Sequence, residues 1–141
     1  MKNGRRRALL APLCVLLLLA GCRGLASEEE AGYEPAAVEP IEGSELARVT
    51  LTEDAARRIG LETAFVVRDG DGAVVPEGAI WVDVDGGAWV YTTPEPFVFV
   101  RARVVVDRYD EGSAYLSEGP EPGTEVASVG VPELIGSEFG I

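Results

Sequence analysis

Residues 79–107 read AIWVDVDGGAWVYTTPEPFVFVRARVVVD and decide the fold class of the chain. Two runs rich in Val, Trp and Tyr flank Asp85-Gly86-Gly87, and an Asp-Gly pair favours the positive φ angles of a hairpin turn. Pro94-Glu95-Pro96 interrupts the second run, and a long run rich in Val and Phe follows over residues 97–107. The stretch therefore predicts a β-hairpin followed by a long strand.

Short strand signals separated by turn residues continue on both sides of this stretch. They lie at residues 48–51, 61–68, 114–116 and 125–130. Short strands at close spacing are typical of an all-β roll, barrel or sandwich. We therefore expect residues 48–141 to form one all-β domain, a small β-roll or barrel-like fold.

One short helix is predicted near the start of this domain. Thr52 can act as its N-cap, the acidic pair Glu53-Asp54 lies in the first turn, and Arg57-Arg58 lies in the last, which suits the helix dipole. Gly60 is a natural residue to follow the helix end. A single closing helical turn is also expected at residues 132–135.

Residues 1–21 have the composition of a secretory signal that is removed from the working protein. Lys2 and Arg5-Arg6-Arg7 form a basic start, and the apolar run over residues 8–20 is too short to span a bilayer. The run ends in Leu19-Ala20-Gly21-Cys22, which resembles the lipobox of bacterial lipoproteins. We expect cleavage after Gly21, a lipid anchor on Cys22, and a location at the periplasmic face or the cell surface. The alternative is an ordinary signal peptide that happens to contain a cysteine.

Residues 22–47 are expected to be the lipidated Cys22 and a disordered acidic linker. The segment is rich in Glu, Ala, Gly and Pro and shows no apolar period. Removal of the signal takes four basic residues from a chain of net charge −12, which leaves about −16. Nucleic acid is excluded as a partner, because phosphate binding needs clustered Lys and Arg.

Several kinds of catalytic and metal site are excluded by residues that the chain lacks. It has no His, and after processing it has no Met, Lys or free Cys. Ser-His-Asp catalysis and soft-metal sites both need such residues. Asp69 and Asp71 lie in a turn, but Ala73 stands where a calcium loop needs its next oxygen ligand. We therefore expect no catalytic activity, no metal and no cofactor.

Aromatic and Arg side chains crowd around the predicted hairpin. Trp81, Trp89 and Tyr91 lie in its two strands, and Arg101 and Arg103 lie two residues apart on the next strand, so the arginines share one face. Ordinary sheet packing and salt bridges explain such residues in most sheets. The alternative is a surface that contacts a partner, and these five are our candidate partner-binding residues.

The long strand is expected to have two unlike faces. Phe97 and Phe99 would share the face of the arginines. The other face is expected to form the core, and it carries Val98, Val100, Ala102, Val104 and Val106.

Two blocks of the domain follow the pattern of a known family. Residues 48–64, RVTLTEDAARRIGLETA, have a strand, a short helix and an Ile-Gly-x-x-Thr element. The second block begins with VPEGAI at residues 75–80, continues with strands at 87–91 and 99–106, and ends with segments at 119–126 and 136–141. In order and spacing, the blocks resemble the periplasmic adaptor proteins, which are the membrane fusion proteins of RND-type and hemolysin-D-like efflux systems.

The resemblance implies a membrane-proximal domain in which the two blocks meet, docked near an inner-membrane transporter. Complete adaptors carry a barrel, a lipoyl-like domain and a long α-hairpin between the blocks, whereas only the turn at residues 69–72 joins them here. We therefore expect a lipid-anchored, non-catalytic adaptor-like protein associated with an RND-type or related export transporter. The alternative is a free-standing extracytoplasmic lipoprotein that binds a small ligand or a divalent cation.

Overall fold

The computed structural model describes residues 34–141. The predicted signal sequence, Cys22 and the first part of the predicted linker lie outside the described residues. The strands are β1 Ala36–Pro40, β2 Ala47–Leu51, β3 Glu62–Phe65, β4 Val67–Asp69, β5 Gly72–Pro76, β6 Trp81–Val82, β7 Ala88–Glu95, β8 Val98–Asp110, β9 Ser113–Glu118 and β10 Glu125–Val129. The helices are α1 Glu53–Arg58, a 3-10 helix Glu77–Ala79 and α2 Val131–Phe139. The expectation of an all-β domain is confirmed.

The sheet nearly closes on itself as a barrel. Its strand order is β3-β10-β7-β8-β9-β5-β4, and all its pairings are antiparallel. The two end strands, β3 and β4, are consecutive in the chain and are separated only by Val66, which is buried. At this bend, the backbone N–H of Val66 donates to Thr124 and its carbonyl accepts from Gly123, both at 2.8 Å. One bent segment therefore supplies both edges, where a single strand was expected over residues 61–68.

Two apolar cores lie on opposite faces of the sheet, because neighbouring side chains on a strand point in opposite directions. Val90 and Val104 belong to the core inside the barrel, to which the strands around the barrel contribute. Tyr91 and Phe99 belong to the second core, which lies between the outer face and the helices α1 and α2. The valine face of β8 is therefore only one of two core faces. Our expectation of a single core face was wrong because it did not include a helical layer.

Helix α1 is present as expected. The hydroxyl of Thr52 accepts from the backbone N–H of Ala55 at 3.1 Å, and Arg57 contacts Asp54. Two Ala residues of the helix, Ala55 and Ala56, are buried in the second core. The predicted N-cap therefore forms, and the short helix is held by packing, since helices of this length are marginal alone.

Helix α2 is longer than the expected single turn. It runs from Val131 to Phe139 and is flanked by Gly130 and Gly140, which both have positive φ angles. Gly136 weakens the intrinsic helix propensity of the segment. Burial of Val131 and Leu134 against the sheet compensates for this weakness, and tertiary packing is the usual source of helix stability.

Part of the predicted linker is a strand. All five residues of β1 pair with β2, from Ala36 opposite Leu51 to Pro40 opposite Ala47. The expectation of disorder through residue 47 was therefore wrong for this part, and the folded domain includes β1. The side chains of β1 are mostly exposed, so the sequence shows no apolar period. The strand is held by main-chain bonds to an existing sheet edge, which local composition does not reveal.

Candidate functional site

The turn between β6 and β7 is organised by one carboxylate. Oδ1 of Asp83 accepts from the backbone N–H groups of Asp85 at 3.0 Å and Gly87 at 2.7 Å, and Oδ2 accepts from the indole N–H of Trp89 at 2.8 Å. The bond from Trp89 and then that from Gly87 hold the pKa of Asp83 below its ordinary value. Asp83 therefore fixes the turn and the orientation of Trp89 together.

Arg101 occupies the centre of an aromatic cluster. Its guanidinium carbon lies 4.8 Å from the ring centre of Trp89, 5.0 Å from that of Phe139 and 5.7 Å from that of Trp81. Cations at such distances from aromatic rings are attracted by the ring quadrupole. Strand β8 thus supplies a charge that joins β6, β7 and α2.

The charge of Arg101 is compensated by a buried acid. Its Nε donates to Oε1 of Glu138 at 2.8 Å, and its Nη2 donates to the backbone carbonyl of Glu45 at 3.3 Å. The hydroxyl of Tyr91 donates to Oε2 of Glu138 at 2.6 Å. Burial, and then the hydrogen bond and the charge of Glu138, raise the pKa of Tyr91 far above its ordinary value. Both carboxylate oxygens of Glu138 thus accept a hydrogen bond, Oε1 from Arg101 and Oε2 from Tyr91.

An open groove of about 600 Å³ lies beside this cluster, and we call it the hairpin groove. Trp81 and Trp89 line it together with Val84, Phe139 and Ile141. Its remaining lining includes three carboxylates, those of Glu45, Asp83 and Asp85. The groove thus combines aromatic and aliphatic surface with an acidic rim, a composition that suits binding.

The five candidate partner-binding residues meet in one place but differ in exposure. Trp81, Trp89 and Arg101 line the hairpin groove, and Arg103 is exposed and lies over Trp89 at 5.4 Å. Tyr91 is fully buried, so its assignment to a contact surface was wrong. Arg101 is only 8% exposed and positions the surrounding rings. The error arose because alternation shows which residues share a face but not which face α2 covers.

Glu138, Val84 and Phe139 are part of this region, yet sequence reasoning did not identify them. The signal for Glu138 lay in helical spacing, since Val131, Leu134 and Glu138 fall at i, i+3 and i+7 on one face. Extension of the predicted helical turn by one more turn would have pointed Glu138 toward the sheet. Val84 has no such signal, because it lies beyond the end of β6.

Two further features of residues 34–141 bear on the alternatives. No group of three or more His, Cys, Asp or Glu side chains in this range could share a metal ion. No helix of this range is long and apolar enough to cross a membrane.

The chain was also compared with known proteins. No family model, curated protein or solved structure matches it. The resemblance to periplasmic adaptors therefore rests on the residue patterns of its two blocks.

Proposed function

We propose that this protein is a lipid-anchored, non-catalytic docking module of the periplasmic-adaptor kind, associated with an RND-type or related export transporter. The supporting observation is that its two adaptor-like blocks build one sheet. Strand β2 of the first block pairs with β8 of the second, with Arg48 opposite Val100. Strand β3 pairs with β10 in the same way, with Ala64 opposite Val126. In complete adaptors the two blocks lie far apart in sequence and meet in one domain, and the resemblance implies the same meeting here.

The length of chain between the proposed anchor and the domain fits a role at the membrane. Cys22 and the first described residue, Glu34, are separated by twelve residue steps. A chain of this length spans about 40 Å at most when fully extended. A lipid on Cys22 would therefore keep the β-domain within that distance of the membrane surface.

The docking proposal is tested by isolation of the intact lipoprotein from membranes solubilised in mild detergent. A subunit of an export transporter should co-purify. Less of this subunit should be recovered with the Cys22→Ser variant, which cannot be lipidated. Intact mass spectrometry of the same material should show the acyl groups on Cys22. Repeated recovery of the lipoprotein without any transporter component contradicts the proposal.

A second candidate function is a free-standing lipoprotein that binds a small ligand. The volume of the hairpin groove favours it, since pockets for small organic ligands have about 300–1,000 Å³. The form of this function that binds a divalent cation is tested by calorimetry with calcium, zinc and copper, and no heat with any of the three counts against it. This candidate is supported over the first if calorimetry shows binding of a small ligand and no transporter subunit co-purifies with the lipoprotein.

A further inference from the structure

We propose that the hairpin groove holds a segment of a protein partner in which apolar side chains are flanked by Lys or Arg. This inference rests on the proposed function, because it states the chemistry of the segment that the docking module recognises. Three properties of the groove carry it, namely exposed apolar surface, an acidic rim and fixed aromatic rings.

Exposed apolar side chains concentrate at the groove. Eleven large hydrophobic residues are exposed among the described residues, and four of them line this one groove. They are Val82, Val84, Phe139 and Ile141, with Val84 fully exposed and Ile141 91% exposed. Contiguous apolar surface with a polar rim marks interaction sites on soluble domains. The apolar part of a bound segment would cover these side chains.

The charges at the groove favour a cationic partner. Glu45, Asp83 and Asp85 line it, whereas Arg101 is neutralised by Glu138 within the cluster. Arg103, above Trp89, supplies one nearby positive charge, so the acids exceed the available cation. Surfaces of opposite charge attract across an interface, and surfaces of like charge repel, which disfavours acidic partners here. The same rule opposes a second copy of this chain, whose net charge is −12 over the full sequence and about −16 after the expected cleavage.

The rings of the groove are held in place before a partner arrives. Trp89 is fixed by its bond to Asp83, and Trp81 lies 5.6 Å from Phe139, centre to centre. The guanidinium of Arg101 lies within cation–π distance of all three rings. Preorganised aromatic groups bind with little loss of side-chain freedom and are common interface hot spots. The groove therefore meets the requirements of a docking site for a short segment.

Intrinsic fluorescence can follow binding, because the only two tryptophans of the chain, Trp81 and Trp89, line the groove. The intact lipoprotein in lipid nanodiscs is titrated with three peptides. The first has a Leu-Phe-Leu core flanked by Lys, the second has the same core flanked by Glu, and the third has a Ser core flanked by Lys. We expect saturable binding of the first and at least about tenfold weaker binding of the others, which corresponds to about 1.4 kcal/mol.

Matched variants locate the binding. Val84→Asp should abolish binding of the Lys-flanked apolar peptide, whereas Val67→Asp, at an exposed valine outside the groove, should leave it unchanged. Glu45→Gln with Asp85→Asn should weaken it about threefold to tenfold, since each exposed charge contact contributes little. Both acids are on the rim, and neither side chain takes part in the Arg101 cluster.

Three outcomes overturn the inference: no binding of the Lys-flanked apolar peptide, equal binding of all three peptides, or binding that Val84→Asp does not change. The test separates this inference from the proposed function. Peptide binding without a co-purifying transporter leaves the inference standing and removes the proposed function. Co-purification of the transporter in equal amounts with the native chain and with Val84→Asp supports the proposed function and removes the inference about the groove.

Discussion

Nε of Arg101 lies 2.8 Å from Oε1 of Glu138, and the two side chains are only 9% and 3% exposed. This contact ties α2 to the first part of β8 across 37 residues of sequence. The carboxylate also accepts from Tyr91, and the guanidinium stacks against Trp89. The rigidity of the hairpin groove therefore depends on a buried ion pair.

Glu138→Gln should lower the free energy of unfolding by about 3–5 kcal/mol, because it leaves the charge of Arg101 buried without a counter-charge. Urea unfolding followed by circular dichroism measures the change. Glu95→Gln is the matched control, since it breaks the exposed pair with Arg48 and should cost less than about 1 kcal/mol. Similar small losses in both variants would show that the buried pair does not support the fold.

Tyr91→Phe should lower the free energy of unfolding by about 1.5–3 kcal/mol. The variant keeps the buried ring but removes the hydroxyl that donates to the carboxylate of Glu138. Tyr109→Phe, at a residue that is 49% exposed, should leave stability unchanged. The same urea titration checks both, and an unchanged midpoint for Tyr91→Phe is the contrary result.

Stability should fall at alkaline pH through Tyr91. Burial and Glu138 raise its pKa above the ordinary value of 10.0, so the folded state favours the protonated phenol. This contribution is present below pH 10 and is lost as pH rises above it, because the unfolded state then releases the proton. Urea midpoints at about pH 8 and about pH 11 should therefore differ more for the native chain than for Tyr91→Phe. Equal pH dependence in the two proteins contradicts this assignment.

Asp83→Ala should shift the tryptophan emission of the protein toward the red. The variant removes the acceptor for the indole N–H of Trp89 and two bonds that hold the turn, so Trp89 becomes more mobile and more solvated. Asp85→Ala serves as the control, because its side chain makes none of these bonds. Identical emission spectra for the native chain and Asp83→Ala would contradict the role of Asp83 in holding Trp89.

Strand β1 should show hydrogen-exchange protection where its amides pair with β2. A disordered linker exchanges at the rate of an unfolded chain, whereas paired strand amides exchange only after local opening. Those amides of Ala36–Glu39 that point toward β2 should therefore exchange more slowly than that of Gly43, which lies in the following turn. Exchange at the unfolded rate throughout this segment would restore the prediction of a linker.

Local signals predicted the elements that depend on local interactions. The cap at Thr52 and the long strand β8 follow from residue type and spacing. The bend at Val66 that nearly closes the barrel depends on contacts with Gly123 and Thr124, more than fifty residues away. Local propensity contains no information on such a contact, so only the β class and not the strand order was predictable.

The candidate site was predictable to a similar extent. The predicted hairpin and the strand after it grouped Trp81, Trp89 and Arg101 as candidates, and the structure places all three at the hairpin groove. The burial of Tyr91 and the role of Glu138 depend on α2, whose extent is set by packing and not by propensity. The covered part of the cluster was therefore mistaken for exposed surface.

The central claim, that the β-domain docks on an export transporter, is tested most directly by photo-crosslinking in the membranes of cells that make the protein. A photoreactive amino acid at the exposed position 84 probes the groove, and one at the exposed position 71, in the β4–β5 turn, is the control. We predict a crosslink from position 84, but not from 71, to a transporter subunit at a segment rich in Lys or Arg. Crosslinks from position 84 to lipid alone, or to a second copy of this chain, would contradict the account.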